Sequence, residues 1–253
     1  MGKVERYLAE ALEEQGALHM ALIDPARTDG KDAKKIASIA ERIGSAAIMV
    51  GGSVGVSEAM VDEVVLSVKE VTNLPVILFP GSPTNLSRHA DAVWFLSVLN
   101  STNPYFIILG QMQGAPVVKR YGIEPLSLAY LVFGSGGTVG FVTQARLIPF
   151  DKPEIAVAYA LAAEYLGFRY IYLEGGSGGE PIPPNIIRAI DAYVDLPIIT
   201  GGGIRTPELA KKAVEAGADI IVTGTLLEDS SDLEKKLQDV IQAIKEAVKP
   251  KRR

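Results

Sequence analysis

Residues 197–225 read PIITGGGIRTPELAKKAVEAGADIIVTGT, a short apolar run, three glycines, a polar-apolar periodic segment, a lone glycine and a second apolar run that ends in Gly224-Thr225. Thr206 followed by Pro207 and Glu208 is an N-cap with proline at the first helical position, and Gly217 closes the helix it opens. The unit is strand, loop, helix, strand, and the same rhythm recurs along the chain. Strands are predicted at residues 17–23, 46–50, 76–79, 92–98, 126–132, 170–173, 197–200 and 220–223. Most are near-continuously apolar, the pattern of parallel strands covered on both faces. Helices are predicted over 32–43, 57–71, 153–166, 185–193, 207–216 and 232–248, with Gly44 and Gly167 closing two of them.

Eight such units in 253 residues, with no linker and no break in composition, point to one α/β domain spanning residues 1–253, a (β/α)8 TIM barrel. A doubly wound open sheet is the alternative topology. Two departures from regularity are expected. Residues 80–90 are too few and too rich in Pro, Gly, Ser and Asn for a helix, so an irregular link stands in place of the third helix. Residues 4–15 form an extra N-terminal helix able to plug the barrel's bottom.

At 48% hydrophobic and 22% charged residues the chain buries a sizeable core, on the order of 75% of its unfolded surface for this length. It has no cysteine, which excludes disulfides, thiolate metal sites and cysteine nucleophiles. A net charge of -5 offers nucleic acid and anionic lipid no overall attraction. The one basic run, residues 249–253, reads as the solvated end of the last helix. The opening residues carry no signal peptide and no apolar run reaches the ~18 residues of a membrane span, so a cytoplasmic protein is expected.

Barrel active sites are built by the loops after the strands' C-terminal ends. The glycines after strand seven (Gly202, Gly203) and the Gly224-Thr225 turn after strand eight let backbone N–H groups close on an anion, which predicts a phosphate monoester in the substrate. Strand six ends in Tyr172, Leu173 and Glu174, followed by Gly175, Gly176, Ser177, Gly178 and Gly179. That loop can wrap the same phosphate, and Glu174 beside it can serve as general base to a substrate hydroxyl. Tyr172, two positions earlier, points to the same side of the strand. Asp24 and Ser53, at the ends of strands one and two, form an oxygen pair suited to Mg²⁺ with a bound diphosphate. His19 reads as a satisfied interior histidine and His89 as surface. Residues 131–150 are a long apolar, glycine-rich insertion, a lid or wall for an apolar substrate or an oligomer contact.

Taken together the strand ends Leu22-Ile23-Asp24-Pro25, Val50-Gly51-Gly52-Ser53, Ile77-Leu78-Phe79-Pro80-Gly81, Ser97-Val98-Leu99-Asn100-Ser101, Gly136-Gly137-Thr138-Val139-Gly140, Tyr172-Leu173-Glu174-Gly175-Gly176-Ser177-Gly178 and Gly201-Gly202-Gly203-Ile204-Arg205 resemble the geranylgeranylglyceryl phosphate synthases, in the second of that archaeal family's two groups. The resemblance implies a prenyltransferase that alkylates sn-glycerol 1-phosphate with geranylgeranyl diphosphate, releasing diphosphate with Mg²⁺ as cofactor. By motif it implies Asp24 and Ser53 as metal ligands and Glu174 as the catalytic base. Tyr172, Leu173, Glu174, Gly175, Gly176, Ser177, Gly178, Gly202, Gly203, Ile204, Gly224 and Thr225 are implied to bind substrate. It further implies a homo-oligomer, dimer or hexamer, that meets the membrane surface with its prenyl product. Trp94, Tyr105, Tyr130 and Phe133 are candidates for an apolar trough, with ordinary core packing the first reading of each taken singly. Arg27 and Ser135 depart from the family's usual Lys and Pro. A relative with another prenyl length, a sugar-phosphate isomerase on the same barrel and a non-catalytic phosphate-binding barrel stay open from the residues alone.

Overall fold

The computed structural model describes residues 1–52, 54–176, 178–228 and 232–248. Eight parallel strands close into a barrel in sequence order: β1 (Leu18–Ile23), β2 (Ala47–Val50), β3 (Val76–Leu78), β4 (Ala92–Val98), β5 (Glu124–Val132), β6 (Tyr170–Glu174), β7 (Ile198–Gly201) and β8 (Ile220–Thr223). Pairing of Leu18 with Ile220 and of Ala21 with Thr223 joins the last strand to the first, which excludes the open sheet.

Strand alternation divides the core into two layers. Side chains such as Met20, Met49, Ile77, Trp94, Leu128, Tyr172 and Val222 fill the barrel axis. Their neighbours Ala21, Ile48, Leu78, Val93, Ala129, Leu173 and Ile221 face the helices. Most strand residues are buried on both faces, which is why the strands read as nearly unbroken apolar runs.

The helices are α1 (Lys3–Gln15), α2 (Gly30–Ile43), α3 (Glu58–Lys69), α4 (Gly110–Tyr121), α5 (Gly137–Val142), α6 (Pro153–Tyr165), α7 (Pro184–Asp191), α8 (Pro207–Glu215), α9 (Thr225–Glu228) and α10 (Leu233–Ala247). As expected, residues 80–90 carry no helix. Helix α1 plugs the lower end, with Val4, Leu8, Ala11 and Leu12 packed against axial residues. Its first turn has no capping side chain of its own, since Gly2 precedes it. Glu124, the first residue of β5, does that work from across the chain by accepting the Val4 and Glu5 N–H groups at 2.8 and 2.9 Å. The Glu5–Arg169 ion pair (2.6 Å) ties the same turn to the start of β6.

One long helical stretch was not legible beforehand. A π-helical turn, Tyr105–Leu109, runs into α4. Pro104, Gly110, Gly114 and Pro116 interrupt the apolar periodicity there, and Pro116 lies inside the helix. The insertion after β5 contains the short α5. Buried Asn100 pins it, donating to the carbonyls of Val132 (2.9 Å) and Arg146 (3.0 Å). No helix among the described residues is long and apolar enough to cross a membrane. The basic run at 249–253 lies outside the described residues.

His19 faces the outer layer, where its two ring nitrogens meet the hydroxyls of Ser45 and Thr223, both at 2.8 Å. Burial lowers its pKa to about 3, so the ring is neutral in the fold. Because the unfolded chain takes up the proton near 6.5 and the folded chain does not, this site stabilises the fold above that pH and loses its contribution on acidification toward 3. Denaturant unfolding should show the wild type losing roughly 2 kcal/mol more than His19→Gln between pH 6.5 and 4.5, at about 1.4 kcal/mol per pH unit. Equal losses in the two proteins would show that the ring titrates normally.

Candidate active site

At the upper end of the barrel axis three rings form a platform. Tyr130 of β5 stacks on Tyr172 of β6 with centroids 5.1 Å apart, and Phe79 packs against both at 5.8 and 5.2 Å. The paired register Tyr130↔Tyr172 and Val132↔Glu174 places Glu174 one pleat above this platform, on the axial side. Glu174 is only 6% exposed. Its Oε2 accepts a hydrogen bond from the Tyr130 hydroxyl (2.7 Å) and its Oε1 from the Gly176 N–H (2.6 Å).

Burial raises the Glu174 pKa above the usual carboxylate value, and the two donated hydrogen bonds partly offset that rise. A buried carboxylate held by one hydroxyl and one amide is a stronger base than a solvated one. The glycine at 202 makes the arrangement possible. Its φ is +78°, and a Cβ there would collide with the Glu174 carboxylate and lie 2.8 Å from the Gly176 nitrogen.

Glu174 borders two cavities. The larger, about 980 Å³, is lined by Asp24, Arg27, Gly52, Phe79, Leu96, Phe106, Tyr130 and Thr138 among others. The smaller, about 380 Å³, is lined by Tyr172, Gly202, Gly203, Ile204, Arg205 and Val222. Leu22, Glu174, Gly224 and Thr225 border both. A third, mostly apolar groove of about 510 Å³ runs between the irregular 80–90 link and α4. It shares Pro80, Gly81, Leu96 and Phe106 with the larger cavity, so the two adjoin.

The strand-tip residues therefore meet at one mouth. Asp24, Glu174, Gly224 and Thr225 border one cavity, and Tyr172, Glu174, Gly202, Gly203, Ile204, Gly224 and Thr225 the other. Leu173 is placed otherwise, because strand alternation turns its side chain into the layer between barrel and helices. Gly175 and Gly176 are buried in the loop behind Glu174. Gly178 stands beside the Arg205 guanidinium, where an added Cβ would lie 3.6 Å from Nη2. Ser53 and Ser177 lie outside the described residues.

Of the trough candidates, Trp94 and Tyr105 border the apolar groove. Tyr130 instead holds Glu174, and Phe133 is fully buried facing the helices, so neither of these two lines the groove. Sequence reading missed the Tyr130–Glu174 bond and assigned no task to Arg205 or Phe79. Tyr130 and Glu174 are 44 residues apart, and only the β5–β6 register brings them together. The insertion supplies a wall, with Thr138, Val139 and Thr143 on the larger cavity.

Asp24 ends β1 with Oδ1 accepting from the Ala26 N–H (2.9 Å) and Oδ2 3.9 Å from the Arg27 Nε. No group of three or more His, Cys, Asp or Glu side chains among the described residues can cage a metal ion. A lone carboxylate beside a cavity fits Mg²⁺ of the kind that is bound chiefly through phosphate oxygens and water.

The PcrB family model matches residues 9–247. The chain is 59% identical over 245 residues to the geranylgeranylglyceryl phosphate synthase of Thermofilum pendens, covering 97% of this chain and 96% of that one. It is 53% identical over 249 residues to the enzyme of the same name from Thermococcus gammatolerans, covering 97% and 98%. In three dimensions it is similar to (S)-3-O-geranylgeranylglyceryl phosphate synthase from Thermoplasma acidophilum in complex with sn-glycerol-1-phosphate, with a TM-score of 0.93, 42% identity and coverage of 97% and 99%. With a family model spanning nearly the whole barrel and relatives this similar along their full lengths, the chain belongs to the PcrB family.

Proposed function

We propose that this chain is a prenyltransferase of archaeal ether-lipid synthesis, joining the geranylgeranyl group of its diphosphate to the free primary hydroxyl of sn-glycerol 1-phosphate. The observation that carries the reading is the position of Glu174 on the wall shared by a glycine-lined cavity and a cavity that adjoins an apolar groove. The relatives' names and the bound ligand of the Thermoplasma structure agree with it.

In this scheme the smaller cavity takes the phosphate monoester, with the glycine backbone of the β7 and β8 loops facing it. The glycerol hydroxyl then lies against the Glu174 carboxylate. The larger cavity takes the diphosphate beside Asp24 and Arg27, and the prenyl tail extends past Leu96 and Phe106 toward the apolar groove. The hydroxyl oxygen bonds to the allylic carbon as the carbon–diphosphate bond breaks, and the hydroxyl proton passes to Glu174. Mg²⁺ held by Asp24, and by Ser53 as the family resemblance implies, would neutralise charge on the departing diphosphate. Tyr130 keeps the carboxylate pointed at the hydroxyl, and the aromatic platform excludes water beneath it.

Cytoplasmic location and oligomer formation belong to the same reading. Phe141 and Tyr165, 88% and 80% exposed, are apolar surface available to a second copy.

Transfer of label from geranylgeranyl diphosphate into an organic-extractable phosphate, with the 1-phosphate enantiomer of glycerol phosphate and not the 3-phosphate, tests the assignment. No transfer with either enantiomer overturns it. Glu174→Gln should lower turnover by about 10² or more, the low end of general-base effects, and full turnover in that variant would remove the proton-acceptor role.

The active carboxylate is the ionised form, so activity falls as pH drops through the Glu174 pKa, which burial holds above the ordinary value. Removing the Tyr130 hydrogen bond takes away a contribution that lowers this pKa. The acid limb of the Tyr130→Phe rate profile should therefore lie at higher pH than that of the wild type; an unmoved limb would assign the limb to another group. For the metal, Asp24→Ala should raise the Mg²⁺ concentration giving half-maximal turnover, and an unchanged titration would exclude Asp24 as a ligand.

A further inference from the structure

Resting on the reading above, the smaller cavity has an imbalance of charge that points to one more residue. Among its described lining residues one side chain is acidic, Glu174, and one is basic, Arg205. A phosphate monoester at neutral pH carries between one and two negative charges and would enter beside a carboxylate that is itself buried. The glycine turns meet it with backbone N–H groups, which are partial charges. Like charges this close are costly unless a full positive charge stands with them.

Arg205 stands where that charge is needed. It closes the Gly201-Gly202-Gly203-Ile204-Arg205 loop after β7, and its guanidinium reaches the loop after β6. There Gly178, with φ +76° and no side chain, leaves it room. Arg27, Lys34, Arg42, Lys69 and Arg169 are engaged in ion pairs with carboxylates, and Arg205 stands in none of these. The side chain is exposed and so remains in water until a ligand arrives. A planar guanidinium matches phosphate oxygens with two parallel donors, which no amide in the loops can do.

We propose that Arg205 is a phosphate-binding residue of the glycerol phosphate site, supplying the counter-charge that lets a dianionic ester sit beside the Glu174 carboxylate. The two arginines of the mouth are thereby divided between substrates. Arg205 serves the monoester in the smaller cavity, whereas Arg27, paired with Asp24 at 3.9 Å, borders the larger one.

Calorimetric titration of sn-glycerol 1-phosphate into the wild type, Arg205→Gln and Arg205→Lys tests this without turnover. Arg205→Gln should weaken binding about tenfold or more, as expected for loss of one charge-assisted hydrogen bond, and Arg205→Lys should recover part of it. In steady-state assays the KM for glycerol phosphate should rise by a similar factor while that for geranylgeranyl diphosphate does not. Binding by Arg205→Gln within twofold of wild type overturns the proposal, and so does an equal rise in both KM values, which would mark a loop distortion. If the wild type itself binds no glycerol phosphate, the substrate assignment fails with it. Normal wild-type binding with an indifferent variant removes Arg205 alone.

Discussion

A carboxylate buried above three packed aromatic rings is the constraint around which the upper half of this barrel is arranged. Glu174 is 6% exposed, and an ionised group so placed is tolerated only when donors face its oxygens. Tyr130 and the Gly176 amide supply two. The glycine at 202 has to be side-chain-free for the β7 loop to approach, and the ring platform has to be rigid for Tyr130 to aim its hydroxyl. Several features that look separate in the chain are thus consequences of holding one negative charge out of water.

The lower half solves a different problem. A barrel of short strands leaves its axis open at the bottom, and α1 closes it with four apolar side chains. That helix lacks its own cap and takes one from Glu124, more than a hundred residues away. The plug is therefore fastened to β5 and β6 by charged groups and to the axis by packing.

The groove exists because a helix does not. With residues 80–90 forming an irregular link, the outer ring has a gap beside α4, and apolar side chains of β4 and the π-helical turn line it. A regular third helix would fill that space. The loss of one unit's helix costs packing and leaves a groove adjoining the larger cavity, which in the proposed reaction holds the prenyl chain.

Strand positions were legible almost to the residue, because strands buried on both faces leave unbroken apolar runs and glycines mark their ends. The missing third helix, the N-terminal plug and the neutral interior role of His19 were legible for similar local reasons. Helix α4 was not, since Pro and Gly break its periodicity while tertiary contacts still hold it. Pleat parity turns the side chains of Leu173 and Phe133 outward, toward the helices, which for Phe133 is the ordinary core packing its residue type favours.

Composition and spacing alone determined a cysteine-free α/β chain whose glycine-rich strand ends converge on phosphate chemistry, because turns and strand cores are local properties. Closure of the barrel decided the rest. Which side chains face the axis, that Tyr130 meets Glu174, that Arg205 borders a cavity with Glu174, and that the apolar groove adjoins the polar mouth all depend on register between strands far apart in the chain. No local pattern encodes that register; it emerges only when eight twisted strands must close without an edge.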